Sequence, residues 1–334
     1  MEMGMEMGID ISKLKFDVVL ISKDGKNKHK SFSNDPSGFE KLKIWLESED
    51  ALSVHVCMEA TGRYGDDLAL FLFINNIKIS VVNPAQIKAF AGSEGVRIKT
   101  DKVDAGVIAR FCKAHCPKIW HPVCVDTQNI RDLYRCLQDL MDDRQRCYNR
   151  QEKLSHDKES FKIWDALIKD YNDKINDIEQ KIKTLIDSDD VLHKKEQLIK
   201  SIKGIGFKSA VAILSELPDA KEFANAKEAA AFCGLTPTVR QSGSSLNHRG
   251  SLSKMGNTRL RKALYMPPLV ATRYNPVIKA FYDRLVRKGK NKMVALCAAM
   301  RKLLHIIFGV LKHEKPFEEN ITLIKGEGAP SIAP

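Results

Sequence analysis

The first third of the chain alternates between two hydrophobic periods. Met7 to Asp10, Phe16 to Ile21 and Lys28 to Phe32 are short β-prone runs separated by turn residues such as Lys23-Asp-Gly-Lys26, which predicts a three-strand antiparallel meander. After Asn34-Asp-Pro-Ser-Gly the apolar positions Phe39, Leu42, Trp45 and Leu46 switch to helical spacing. Val54 to Met58 predicts a fourth strand, Tyr64 to Ile74 a helix, Ile77 to Val82 a fifth strand, and Pro84 to Ala91 and Lys102 to Ala114 two further helices.

Three antiparallel strands followed by crossover αβ units is the element order of a ribonuclease H-like fold, a mixed sheet with helices on both faces. From Asp126 to about Glu196 the chain becomes helical and highly charged. Ile163, Leu167, Tyr171, Ile175, Ile178, Ile182 and Leu185 recur there at spacings of three and four, one apolar stripe on a long solvated helix. Such a stripe is either a coiled-coil, dimerising arm or a helix packed on its own chain. After Gln197 a compact helical domain begins. The expected fold class is therefore α/β plus all-α, divided into 1–122, 123–196, 197–324 and a disordered tail over 325–334.

Composition narrows the class. With 334 residues, 43% hydrophobic and 29% charged, the chain is neither disordered nor collagen-like nor a disulfide miniprotein. Its net charge of +12 favours a polyanionic partner, and the excess is local. Residues 197–334 hold 23 basic against 9 acidic side chains, whereas 1–196 hold 31 against 33. The longest apolar stretches, Met293 to Met300 and Leu303 to Leu311, fall short of the roughly 18 to 20 residues that span a bilayer and are flanked by Lys292, Arg301 and Lys312. No membrane association is expected. The start, Met-Glu-Met-Gly repeated, does not read as a signal peptide, and eight scattered cysteines suit reduced thiols, so a cytoplasmic location is expected.

Asp10 ends the first predicted strand, Glu59 follows the fourth, and Asp101 and Asp104 open a helix three residues apart. In the inferred sheet strands one and four are central neighbours, so Asp10 and Glu59 face each other; the i, i+3 spacing puts Asp101 and Asp104 on one helix side. Four carboxylates converging from three segments cannot all ionise without a cation, and hard oxygen donors favour Mg²⁺ or Mn²⁺. Two such ions about 4 Å apart suit in-line phosphoryl transfer. Taken alone, Asp101 and Asp104 also read as the acidic first turn of any helix. Glu59, closing an apolar run, would be costly there without a partner or metal.

Two further patterns lie in the basic region. Leu198-x-x-Ile202-Lys-Gly204-Ile205-Gly206-x-Lys208 places two glycines around an isoleucine between amphipathic helices, the helix-hairpin-helix arrangement that brings backbone N–H groups to a phosphate. A tight connection without a ligand is the alternative. The run from Gly234 to Lys262 combines small residues, hydroxyls including Ser242, and the cations Arg240, Arg249, Lys254, Arg259 and Arg261, which suit phosphate neutralisation; a basic loop lying inertly on DNA has the same composition. Cys112, His115, Cys116, His121 and Cys124 lack the second cysteine pair of a zinc site. Tyr265 is either a nucleophile or, by its spacing to Leu260, Leu264 and Leu269, a core aromatic. No Ser-His-Asp elbow, P-loop or dinucleotide fingerprint occurs.

Gly8-Ile-Asp10-Ile-Ser-Lys13, Cys57-Met-Glu59-Ala-Thr-Gly62, Val82-Asn-Pro-Ala85, Lys99-Thr-Asp101-Lys-Val-Asp104-Ala105, Gly204-Ile-Gly206, Phe232-Cys-Gly-Leu-Thr-Pro237, Ser242-Gly-Ser-Ser245 and Leu260-Arg-Lys-Ala-Leu-Tyr-Met-Pro267 run in order over nearly the whole chain. Together they resemble the transposases of bacterial insertion sequences that encode a bridge-RNA-guided recombinase, with a DEDD-type RuvC-like domain followed by a transposase domain. The resemblance implies that Asp10, Glu59, Asp101 and Asp104 hold Mg²⁺ and that Ser242 attacks a DNA phosphate to form a 5′-phosphoserine link. It also implies a structured bridge RNA pairing with donor and target double-stranded DNA, and a homo-oligomer, dimer to tetramer, in which the RuvC-like domain of one subunit meets the transposase domain of another. Two other readings stand beside this one: a junction-resolving, metal-dependent endonuclease that uses water, and a non-catalytic nucleic-acid-binding protein.

Overall fold

A computed structural model describes residues 5–319 apart from 61, 123, 155–157 and 243–245, with the backbone alone for 158, 239–242 and 246–250. The chain divides into two compact units, Met1–Val123 and Cys124–Pro334.

The first unit runs β1 (Glu6–Ile11), β2 (Lys15–Ile21), β3 (Asn27–Ser33), α1 (Pro36–Ser48), β4 (His55–Glu59), α2 (Asp66–Ile74), β5 (Lys78–Val82), α3 (Pro84–Ser93) and α4 (Asp101–His115). The expected elements are all present. The sheet order is β3-β2-β1-β4-β5, antiparallel across β3, β2 and β1 and parallel across β1, β4 and β5, a mixed sheet compatible with the ribonuclease H-like fold. The central strands are apolar on both faces because both are covered. Met7 and Ile9 pack with Phe39, Leu42 and Leu68 on one side, whereas Cys57 packs with Val107, Ile108 and Phe111 on the other. Gly8 is required by this arrangement. A Cβ there would stand 2.1 Å from the Ala105 carbonyl and 2.3 Å from the Ala109 nitrogen, so only glycine lets α4 lie against β1.

The second unit runs α5 (Val125–Gln151), α6 (Lys158–Ser188), α7 (Asp190–Lys200), α8 (Phe207–Glu216), a 3₁₀ turn (Ala220–Glu222), α9 (Ala226–Phe232), β6 (Pro237–Ser242), β7 (Leu246–Leu252), α10 (Thr258–Ala263), α11 (Met266–Tyr274), α12 (Pro276–Arg287) and α13 (Lys292–His313). The charged region is helical as expected, in three helices, and the whole stripe from Ile163 to Leu185 lies on the long helix α6. Asp189 breaks the last of them by accepting bonds from the Val191 and Leu192 nitrogens, which caps α7. Ile175 and Ile182 of the stripe, with the neighbouring Ile186, bury in one cluster with Ile130, Tyr134 and Leu137 of α5, while Ile163 is 67% exposed. That same cluster continues through Ile202, Leu260 and Leu303, so the helices on either side of Gln197 share a core. The β6–β7 hairpin was not anticipated by the sequence pattern.

Helix α13 joins the two apolar stretches that the sequence reading kept apart, and by length and composition it could cross a membrane. Ala299, Leu303, Leu304 and Ile307 are nonetheless fully buried in the unit's core, as in the central helix of a globular domain. The tail expected over 325–334 lies outside the described residues.

Candidate functional site

Strand periodicity aims a group of carboxylates at the amino end of α4. Asp10 lies two residues beyond Gly8 and Glu59 two beyond Cys57, on the sheet face that α4 covers. Thr100 caps α4 by accepting from the Val103 nitrogen at 3.2 Å, which places Asp101 and Asp104 in its first turn. The expected four are thereby brought into electrostatic reach of one another.

Asp10 is pushed up to about 6, first by burial and then by the charges of Asp104, Asp101, Glu59 and Asp17. Glu59 is also raised, by burial and by Asp104, against an opposing pull from Lys99. Asp101 is lowered because Lys15 donates to it at 2.7 Å. Asp17, directly opposite Asp10 in the β1–β2 register, is a fifth carboxylate that the sequence reading passed over. It is 5% exposed, held by Lys15 at 3.1 Å and His29 at 2.9 Å. An aspartate inside the run Lys15-Phe-Asp-Val-Val was the available signal.

These donors fit a hard divalent cation by chemistry: oxygen ligands only, with mutual repulsion that a cation would relieve. They do not form a finished cage, since among the described residues no three His, Cys, Asp or Glu side chains are gathered closely enough to hold an ion. Lys15 occupies the position of a counter-charge between Asp101 and Asp17.

In the second unit the Gly204–Gly206 turn links α7 to α8. Gly204 has φ +107, and a Cβ there would come 2.8 Å from the Ala271 Cβ, so its glycine is explained by packing under α11. Gly206 caps α8 with open space beside it. Lys208 is paired with Glu179 at 2.6 Å and Arg259 with Asp139 at 3.2 Å. Arg261 braces the chain instead of facing outward: its guanidinium donates to the Cys233 and Lys254 carbonyls and to the Thr258 hydroxyl. Lys254 is exposed, with positive φ. Ser242 is the last residue of β6, opposite Leu246, and Arg240 pairs with His248 in the same hairpin. The side chains of Arg240, Ser242 and Arg249 lie outside the described residues.

Two other residues bear on this region. Tyr265 is 40% exposed although Leu260 and Leu264 on the same turn are buried, so it is not a core aromatic. Glu216, at the end of α8, is 3% exposed and anchors this region: Arg135 grips both its oxygens at 2.8 and 3.1 Å, and Asn257 donates to it at 2.9 Å. Burial would raise its pKa, but these partners outweigh that and lower it.

Comparison with known proteins reaches both units. A DEDD transposase model of the IS110 type matches residues 7–154, and the model described as Transposase IS116/IS110/IS902 family matches residues 196–283. The pilin gene-inverting protein of Moraxella bovis is 33% identical over 319 residues, 94% of this chain and 98% of its own length. Its namesake in Moraxella lacunata aligns with the same identity and coverage. The 43.6 kDa protein of insertion element IS110 from Streptomyces coelicolor is 26% identical over 144 residues, 43% of this chain and 34% of its own. With both parts matched in order and the likeness carried over nearly the whole length, the chain belongs to the IS116/IS110/IS902 family of transposases, DNA-processing enzymes of insertion sequences.

Proposed function

We propose that this protein is an RNA-guided, site-specific DNA recombinase in which Asp10, Glu59, Asp101 and Asp104 hold Mg²⁺ or Mn²⁺ and Ser242 is the nucleophile. The observation that carries the reading is Asp10, whose proton affinity is raised to about 6 by burial and by four neighbouring carboxylates. Negative charge gathered at the carboxyl ends of the central strands β1 and β4, beside a helix start, is costly unless a ligand uses it. A bound divalent ion supplies Lewis-acid stabilisation of charge developing on a phosphate.

The chain's own groups do the rest. The Ser242 oxygen bonds to phosphorus as the bond to the 3′-oxygen breaks, leaving a 5′-phosphoserine link and a free 3′-hydroxyl. Attack by the 3′-hydroxyl of the other DNA reverses the step, restores a phosphodiester and returns the serine. Phosphate-ester bonds are exchanged one for one, so no energy source is needed. The name pilin gene-inverting protein denotes a rearrangement in which DNA is rejoined, and that favours exchange over simple cleavage.

The domains 1–122 (RuvC-like), 123–196 (oligomerising helices) and 197–324 (transposase) divide these tasks, with a joint active site completed between subunits. Gly204 and Gly206 offer backbone N–H groups to a phosphate. Arg240, Arg249 and Lys254 neutralise DNA charge; Lys208 and Arg259 join them when phosphate displaces Glu179 and Asp139, and Arg261 holds the Lys254 turn in place.

A trapping assay tests the reading. The protein, the RNA of the element's own non-coding end, end-labelled donor and target DNA and Mg²⁺ are incubated, denatured and mapped by mass spectrometry. An RNA-dependent adduct on Ser242, lost in Ser242→Ala with RNA binding retained, is expected. Cleaved DNA without an adduct would establish the water-using endonuclease instead. Binding without cleavage would leave a non-catalytic protein.

A further inference from the structure

We propose that a small cavity between α11, α12 and α13 receives a single unpaired nucleobase, stacked on Tyr265, with the phosphates on either side held by the basic segment that opens α13. The proposal rests on the reading that this chain handles nucleic acid, and deepens it by naming an unstacked nucleotide as a distinct ligand.

The cavity has a volume of about 220 Å³ and its lining includes Tyr265, Leu269, Tyr282, Lys292, Met293 and Leu296. Pockets for drug-sized ligands run from roughly 300 Å³ upward, so this one admits a single ring system and little more. Its walls are exposed where an isolated domain would bury them. Tyr265 is 40% accessible, Met293 52% and Leu269 37%, although each is an apolar or aromatic side chain beside a well-packed core.

What covers this face is indicated by charge. Arg284, Arg287, Lys288, Lys290 and Lys292 fall within nine residues around the α12–α13 connection. The first turn of α13 contains no acidic residue. Among the described residues none of the five forms an ion pair, whereas Arg259 and Lys262 are neutralised by Asp139 and Asp142. An apolar protein partner would leave those cations unpaired; a polyanion with flat aromatic groups satisfies walls and rim together. Two tyrosines in the lining supply aromatic surface, and methionine adapts to an irregular planar guest. The Thr272 hydroxyl, also in the lining, already donates to the Leu269 carbonyl at 2.9 Å. The pocket therefore favours stacking over reading a base edge, and predicts weak preference among bases.

The experiment titrates the full-length protein into a single-stranded oligothymidylate carrying one 2-aminopurine, its ribonucleotide counterpart, and the same deoxy strand annealed to a complement. Fluorescence reports stacking and anisotropy reports binding. The single strand should be bound with quenching, and the deoxy and ribo arms identify whether DNA or RNA supplies the base. Tyr265→Ala should remove the quenching and weaken binding by roughly 5- to 100-fold, the range for loss of one aromatic–base stack. Tyr265→Phe should stay within about two-fold, and Lys290→Glu with Lys292→Glu should flatten the salt dependence.

Unchanged binding and quenching in Tyr265→Ala would overturn the proposal, as would tighter binding of the duplex without quenching. A change in sedimentation of Tyr265→Ala with nucleic-acid binding intact would assign the face to a second copy of the chain instead. Quenching that persists while no recombination is found would remove the catalytic reading and leave the pocket. Recombination found while binding and quenching are unchanged in Tyr265→Ala would do the reverse.

Discussion

Asp10 in the first unit and Glu216 in the second are both withdrawn from water, yet their surroundings are opposite. Glu216 is gripped by Arg135 and Asn257, and its pKa is lowered despite burial. Asp10 faces Asp104, Asp101, Glu59 and Asp17, and its pKa is raised to about 6. A carboxylate that serves the fold is paired on the spot, whereas one that awaits a ligand is left in conflict with its neighbours. By this contrast Glu216 serves the fold, and Asp10 is a candidate for holding a ligand.

Four measurements bear on the contrast. The largest effect belongs to Asp10→Asn or Glu59→Gln, each of which should lower strand exchange by on the order of 10³-fold or more at saturating Mg²⁺, through the loss of several kcal/mol of charge stabilisation. Near-normal exchange in both would dissolve the distinction. Arg135→Ala should leave activity per folded molecule unchanged but destabilise the second unit by about 3 kcal/mol, read as a fall in urea midpoint, because it strands a buried charge. Replacing both partners, Arg135→Met with Glu216→Leu, should cost less than the single change.

The pH dependence of stability should have opposite signs at the two sites. Asp10 holds its proton more tightly folded than unfolded, so without divalent ions its contribution falls as pH rises from about 4 to about 6 and stays level above, by about 2 kcal/mol after allowing for partial exposure. Glu216 binds its proton less tightly when folded, so its contribution is present above its unfolded pKa and is lost as pH falls through the folded one. Asp10→Asn should erase the first slope and leave the second, and chemical denaturation across that window checks both. The smallest effect is Lys208→Ala, whose exposed pairing with Glu179 should be worth under about 1 kcal/mol to stability, while DNA binding loses about one unit of salt slope.

The first unit was legible because its strands are short, apolar and punctuated by turns, and local patterning alone bounds such elements. The nearness of Asp10, Glu59, Asp101 and Asp104 was legible because each stands at or near the end of a regular element. Asp17 was missed for a related reason: its significance lies in lying across from Asp10 on the neighbouring strand, a register that becomes visible only when the strands pair. In the second unit the stripe on α6 was readable, but whether it faced another subunit or α5 depended on a partner distant in sequence. Lys208, Arg259 and Arg261 looked like equivalent cations, yet two are paired with carboxylates and one braces backbone carbonyls.

By itself the sequence determined the element order, the sheet-then-helices division and which residue types carry charge at element ends, because these follow from periodicity and capping within a few neighbouring residues. The tertiary structure alone decided which of those charges are answered. Compensation depends on distances between segments far apart in the chain: Gly8 admitting α4 against β1, Lys15 reaching Asp101, Arg135 closing on Glu216. Electrostatic energy falls with separation and grows with burial, and both are fixed only when the chain has folded.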